Sequence, residues 1–569
     1  MGIASAVIAL CVAVTPESDA APQDGIVGAV TTAGAPRAWD VQAWITGTDA
    51  TGARRAGGVR TDRSGRFRLH PTAQPGPDEA FYVTASPAGQ QNSFVTLAAV
   101  TPIVPRHLTV NEKTTVATGY AMAQFLDGTA IRGRAPGVRD ASMMAGNLAD
   151  PISGRLGATL TSPPNGSQTS TLAAFISLTD ALAACTTGSD GCAALRAATT
   201  TPLSGRPSNL IESMANTAKS PEHDPAGLFG VALRRPVRPG GLPLPPIAWT
   251  LALRFDGGGG LLDGPGNFVI GADGDIWVNS NYEYGADPRV PVCGSKYLFR
   301  FAPDGRLRGG RPLTGGGLSG AGYGITRDHD GKIWVANFGF AAPEPGCPAN
   351  RQPPHNSLSR FGPQGEPRSP AQGFTQGALD WPQGMTTDRT GSIWAANCAS
   401  DSLTVYPDGD PGRARNIKVG VKQPFHLVDN GRALFVSGVE SSSIAMLDLT
   451  GRPLRAPITG RTSTTRSALP PTTAATCGSP TRASSRCRAR TGRRAPDRTA
   501  RWPPSIRPAS DSSGRCAAAA SPSRGASPQT ATATSGSATS RASASPSSAA
   551  RTPPPALPAS APGMRSRPT

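Results

Sequence analysis

The side chains able to do chemistry recur at one place in this chain. Asn279 and Ser280, Asn337 and Asn397 each stand just past a short aromatic strand: WVNS, WVAN and WAAN. Polar groups repeated at equivalent positions of successive structural units can point toward a common axis. There they would line a pocket or hold a cation, whereas a strand-ending Asn that closes a local turn needs no ligand. His426 lies in a repeat strand where other copies have Gly or a small apolar residue. It is a candidate base or ligand, against the reading of a satisfied structural imidazole. Asn279, Ser280, Asn337, Asn397 and His426 are therefore the candidate binding residues, and no catalytic residue is assigned.

The acids read differently. Asp328-His329-Asp330-Gly331 opens like a calcium loop, but such a loop needs an acid eleven residues after Asp328, where Gly339 stands. A hairpin turn fits better, as it does for Asp273-Gly274-Asp275 and Asp408-Gly409-Asp410. No metal site is assigned. Cys185 and Cys192 enclose the polar stretch TTGSDG between two helical segments, and in an exported chain they are expected to form a disulfide. Cys293 and Cys347 sit in two long insertions and are expected to pair with each other or with partners lost to a frameshift in the tail, while Cys398 has no evident mate. The chain contains no HExxH, no GxSxG, no phosphate-cradling loop and no dinucleotide fingerprint.

The elements that must position these residues are hairpins. Gly324–Asn337 reads GITRDHDGKIWVAN and recurs as Asn267–Ser280, Gly384–Asn397 and, more loosely, Phe425–Gly438. Each copy is a short apolar strand, a polar turn and a second strand built on an aromatic. The aromatics Trp277, Trp334, Trp394 and Phe435 are spaced by 57, 60 and 41 residues. The last is the natural length of a four-stranded blade, and repetition at this period implies a β-propeller. The longer spacings carry insertions at loop positions, where binding residues concentrate.

The rest of the chain divides by composition. Residues 1–21 read as an export signal, an apolar run followed by small residues. That run is too short for a membrane span, which needs about 20 apolar residues. Residues 22–106 alternate like strands and are expected to form a β-sandwich. Residues 107–233 have helical periodicity, with Asn111 capping a helix. Residues 234–246 form a Pro-rich linker expected to be extended, and Trp249–Phe255 is expected to open the propeller of 247–460, with about four blades visible. The expected fold is thus mainly β: sandwich, small helical domain, incomplete propeller and a disordered tail.

The net charge of +18 suggests nucleic acid until it is located. Residues 461–569 hold 17 Arg and two acids, which leaves +3 for residues 1–460. A basic nucleic-acid face is not supported. The tail is low in complexity, but in a shifted frame Thr464–Thr481 can encode a further Gly-to-Trp hairpin, placed where the next blade is due. The tail is read as a frameshift near Gly460, so its charge and its Cys477, Cys487 and Cys516 carry no functional message.

Two resemblances follow from these motifs. The order GxV…aG.P…V.aW…TD.SGrF.L in residues 22–106 resembles the carboxypeptidase-regulatory-like β-sandwich, an accessory module of exported proteins. The pattern G(I/M)t.D..G.IWvaN…nsl.rF.p.G over Trp249–Gly460 resembles NHL-repeat propellers and the virginiamycin B lyase and gluconolactonase-like group. The lactonase resemblance implies Asn and Asp at a central divalent metal. The lyase-like repeats carry an acid after the Trp unit, where this chain has Ser280, Asn337, Asn397 and Gly438. The expected function is an exported binding or scaffold module acting through propeller loops on a protein, cell-wall or small-molecule ligand, without a transmembrane span. The alternative is a metal-dependent lyase or lactonase acting on a small molecule. No cofactor is otherwise evident.

Overall fold

The computed structural model describes residues 25–459, apart from 50, 91–92, 235, 237–238, 258–260, 263, 284–292 and 339–355. The expected signal segment, Cys347 and the tail lie outside the described residues. The chain is mainly β, as expected, with a helical region between two sets of sheets.

The first set has seven strands: β1 (Ile26–Val30), β2 (Trp39–Ile45), β3 (Arg54–Arg60), β4 (Arg66–Leu69), β5 (Phe81–Pro87), β6 (Leu97–Thr101) and β7 (His107–Val110). They form two sheets, ordered β4-β1-β7 and β3-β2-β5-β6. The strand β7 pairs parallel with β1, so strand structure runs past the expected change to helix at 107. The helix begins only after Asn111, whose side-chain oxygen accepts from Thr114 N while the Thr114 hydroxyl takes Asn111 N. That reciprocal cap satisfies two otherwise orphaned donors.

Seven helices follow, with a short hairpin of β8 (Leu126–Asp127) and β9 (Ala130–Ile131) after the first. They are α1 (Glu112–Ala121), α2 (Gly137–Leu148), α3 (Ala158–Thr161), α4 (Thr171–Thr187), α5 (Ser189–Ala198), α6 (Leu210–Lys219) and α7 (Pro225–Ala232). Asn209 caps α6, and Asp224 with Pro225 starts α7. Cys185 and Cys192 form the expected disulfide between α4 and α5. The stretch expected as a polar loop there is mostly helix, with Gly188 as the break.

One hydrophobic core runs from both sheets through the helices to Trp249. Trp249–Phe255 contains no strand, contrary to expectation. The reason is local: Trp249 is wholly buried, its indole N–H donates to the Pro225 carbonyl, and its own carbonyl takes the Tyr120 hydroxyl. Its polar groups are spent on the helices, so it closes the helical core. The Pro-rich segment before it also departs from a free linker, because Leu242 N donates to Ser177 on α4.

Four antiparallel sheets come next. Blade 1 contains β10 (Gly264–Ile270), β11 (Ile276–Glu283), β12 (Cys293–Gly294) and β13 (Leu298–Phe301). Blade 2 contains β14 (Ala321–Arg327), β15 (Ile333–Asn337) and β16 (Ser357–Phe361). Blade 3 contains β17 (Pro382–Thr387), β18 (Ile393–Asn397), β19 (Ser402–Tyr406) and β20 (Arg415–Lys418). Blade 4 contains β21 (Pro424–Asp429), β22 (Leu434–Gly438), β23 (Ser443–Leu447) and β24 (Ile458–Thr459). The first strands of successive blades lie side by side, as in a propeller arc.

The blades stack with a fixed polarity. Trp277 of blade 1 is buried against Ile325 and Val335 of blade 2. Trp334 is buried against Met385 and Ile393 of blade 3, and Trp394 against Leu427 and Val436 of blade 4. Register places Phe268 at the position of Ile325, Met385 and Leu427, yet Phe268 is 61% exposed. At the other end Phe435, the aromatic of blade 4, is only half-buried. Among the described residues no blade packs on either face. Replacing a fully buried Trp by Ala costs about 3–5 kcal/mol. Trp394→Ala should therefore lower stability by about that much in chemical denaturation, and Phe435→Ala by less than half as much. Equal losses would contradict this polarity.

Candidate functional site

The inner strands are built to approach closely. A Cβ on Gly324 would lie 2.3 Å from the Gln383 carbonyl of the next blade, and one on Gly384 would lie 2.3 Å from the Phe425 carbonyl. Only glycine permits that spacing. Each inner strand also breaks register near its start, between Ala321 and Ile325, Pro382 and Met385, and Pro424 and Leu427. Such bulges re-aim side chains. Here they fall on Tyr323, Gln383, Phe425 and His426, at the end of the arc where the second strands finish.

These side chains meet across blades. The Gln383 Oε1 accepts from Tyr323 N at 3.0 Å, tying blade 3 to blade 2. The Tyr323 ring passes to blade 4, 5.3 Å from the Phe425 ring and edge-on to His426 at 5.2 Å. In register His426 occupies the place of Gly324 and Gly384. Its backbone N–H donates to Ser437 Oγ at 3.1 Å. Its ring Nδ1 is buried with no hydrogen-bond partner. Burial pushes the imidazole below its ordinary value, so it is neutral at neutral pH, and burial raises the Tyr323 phenol. A neutral imidazole with an unpaired nitrogen beside two aromatic rings can accept a ligand N–H or take a proton.

The repeated carboxamides are occupied otherwise. Asn337 is fully buried; its Oδ1 accepts from Ser319 N, and its Nδ2 donates to Ser357 Oγ at 2.9 Å and Ser359 Oγ at 3.0 Å. Asn397 repeats this with Asp380 N, Ser402 Oγ and Thr404 Oγ1. Asn279 takes Asn267 N and donates to the Gly322 carbonyl of blade 2 at 2.6 Å. Ser280 is buried in the same strand. The three carboxamides stitch strands together at the end of the arc that carries His426. Their hydrogen-bonding capacity is directed into the blades, not into a shared pocket. Cys293 is disulfide-bonded, and Cys398 is buried beside Phe338 and Trp381.

The turn acids have the structural role expected of them. Asp328 Oδ1 accepts from Asp330 N and Lys332 N, and its Oδ2 holds the Trp334 indole at 3.0 Å. Asp388 does the same for Thr390, Ser392 and Trp394. Blade 1 differs, with Gly271 in that place and a buried Asp275 bound to Arg300 at 2.7 Å and Arg308 at 2.8 Å. Arg300 also reaches Asp273. Against this turn sits Asp140 of α2, whose carboxylate closely approaches Gly274. Its pKa is pushed up to about 6 by burial first, then by Asp275, Asp273 and Asp78, with Arg139 opposing. Nothing in the local sequence of α2 marks Asp140, because the acids that face it, Asp78, Asp273 and Asp275, all lie far from it in the chain. Among the described residues no group of three or more His, Cys, Asp or Glu is placed to hold a metal ion.

No protein-family model matches this chain, and no curated protein matches it. Among solved structures, a streptogramin B lyase is 15% identical, covering 35% of this chain and 55% of that one, with a TM-score of 0.25. A catalytically inactive virginiamycin B lyase from Staphylococcus aureus with quinupristin is 14% identical, covering 35% and 57%, at 0.25. A gluconolactonase from Xanthomonas campestris is 22% identical, covering 34% and 62%, at 0.26. The chain spans little more than half the length of these proteins. At these values they are likenesses, and the fold rests on the chain's own strand register.

Two outcomes test these assignments. Asn337→Ala leaves Ser319 N–H without its acceptor and should cost about 1–3 kcal/mol in chemical denaturation; no loss would contradict a stitching role. Asp140 in the folded chain keeps its proton between pH 3.8 and about 6, where the unfolded chain has released it. Its contribution therefore weakens folding as pH rises through that window. Thermal stability should improve from pH 7 to 5 more in the parent than in Asp140→Asn; parallel profiles would contradict it.

Proposed function

We propose that this chain is an exported binding protein whose propeller arc takes a small organic molecule at the end where its inner strands begin. The observation that carries the reading is the meeting of Tyr323 from blade 2 with Phe425 and His426 from blade 4, around a buried, unpaired imidazole nitrogen. A buried polar atom without a partner costs free energy unless a ligand supplies one. The ligand class that answers it has a flat apolar body for the two rings and an N–H or O–H donor for His426 Nδ1.

A second reading is favoured by the imidazole itself. Kept neutral by burial, His426 is suited to remove a proton from a bound small molecule, with Tyr323 as a neighbouring donor, as a lyase would require. The divalent metal of a lactonase is not fitted by these residues. Tyr323, Gln383, Phe425 and His426 supply no carboxylate, and the nearby carboxamides are spent within the blades. No step through a metal is derived.

Indole is a minimal probe, with an aromatic body and one N–H donor. In saturation-transfer NMR the parent chain should transfer magnetisation to indole, and His426→Phe should abolish that transfer. The variant also removes an unsatisfied buried atom, so its melting temperature should be unchanged or higher. No transfer in the parent, or equal transfer in the variant, would contradict the reading.

A further inference from the structure

Away from the propeller, the disulfide-linked helices and the loops beside them line an open cleft of about 690 Å³. Its lining brings together Arg37 from the loop before β2, Arg196 of α5 and Arg206 from the loop before α6. No Asp or Glu is among the described residues that line it. The rest of the lining is apolar or uncharged polar: Phe94, Val95, Ala193, Ala197 and the Cys185–Cys192 bridge stand beside Thr187, Ser189 and Thr200.

The three guanidinium groups are held for different reasons. Arg37 donates to the Thr186 carbonyl at 3.1 Å and lies over the Trp39 ring. Arg196 stacks on Phe94, its guanidinium carbon 4.0 Å from the ring centre. Its Nε is buried with no hydrogen-bond partner. Arg206 is exposed and makes no ion pair among the described residues. Burial, then the nearby charge of Arg206, lowers the pKa of Arg196. Two guanidinium groups line one cleft with no carboxylate among its described lining, so the field there favours an anion.

The backbone adds to this field. Helix α5 spans ten residues and starts at the cleft with Gly188 and Ser189, and no side chain caps it. Its first-turn N–H groups carry a partial positive charge. The acid of that turn, Asp190, is not among the lining residues. Glu112, the carboxylate on the far side of Thr186, spends Oε1 on the Thr186 hydroxyl and on Ala33 N–H.

We propose that this cleft binds an organic monocarboxylate with an apolar body. The carboxylate is taken between Arg196 and Arg206, whose forked donors match its two oxygens. The body lies along Val95, Ala193, Ala197 and the disulfide. The charged end sets the sign of the ligand and the apolar wall sets its length, so a compact inorganic anion satisfies only half the site.

Calorimetric titration of the full chain tests this with octanoate as the probe and acetate and sulfate as controls. Octanoate should bind at least about tenfold more tightly than either control, as expected for added apolar burial. The Arg196→Gln/Arg206→Gln double variant should bind octanoate at least about tenfold more weakly, since charged hydrogen bonds are lost. If the double variant does not fold, Arg206→Gln alone, at an exposed position, must show weakened octanoate binding. Absence of octanoate binding to the parent, binding of acetate or sulfate as tight as octanoate, or unchanged octanoate binding in a folded variant would each overturn the proposal.

Discussion

Blades 1, 2 and 3 each depend on one aromatic side chain that belongs to the blade in sequence but is buried by its neighbour. Trp277, Trp334 and Trp394 leave the second strand and fill the space against the following blade. In blades 2 and 3 a turn aspartate fixes the indole through its N–H, so that a buried donor is satisfied while the ring stays in place. The same carboxylate closes the hairpin by accepting backbone N–H groups. One residue thus couples turn geometry to blade stacking. The spacing of inner strands follows from that stacking, and the glycine approaches at 324 and 384 are tolerable only at that spacing.

The axial cluster is a consequence of the same constraint. Inner strands packed this tightly leave no room for side chains at the Gly324 and Gly384 positions. Blade 4 has His426 there, and the described chain places no further inner strand against it. Tyr323 reaches from blade 2 to meet it, over the blade between. The result is a small aromatic site with a neutral imidazole, assembled from three blades that are far apart in sequence.

Much of this was legible from residue order alone. The hairpin repeat, the turn role of Asp328, the cap at Asn111 and the Cys185–Cys192 bridge all depend on contacts within about ten residues. The carboxamides at 337 and 397 were visible as a repeated feature, but their partners were not. Whether such a group faces an axis or its own third strand is decided by Ser357, Ser359, Ser402 and Thr404. Trp249 was placed with the propeller because an apolar strand-like run looks alike in either setting; the acceptor at Pro225 that claims its indole lies in the helices. Asp140 and the arginine-lined cleft had no sequence signal, since each is made by elements brought together only by the fold.

The central claim is that the fold holds His426 as a neutral, unpaired imidazole against Tyr323. The most direct measurement is the pH titration of its ring nitrogens by nitrogen-15 NMR in the intact chain, assigned by comparison with His426→Phe. The account predicts an apparent pKa below the ordinary value of about 6.5, with both nitrogens showing the neutral form at pH 7. A titration at or above 6.5, or a protonated ring at pH 7, would contradict it.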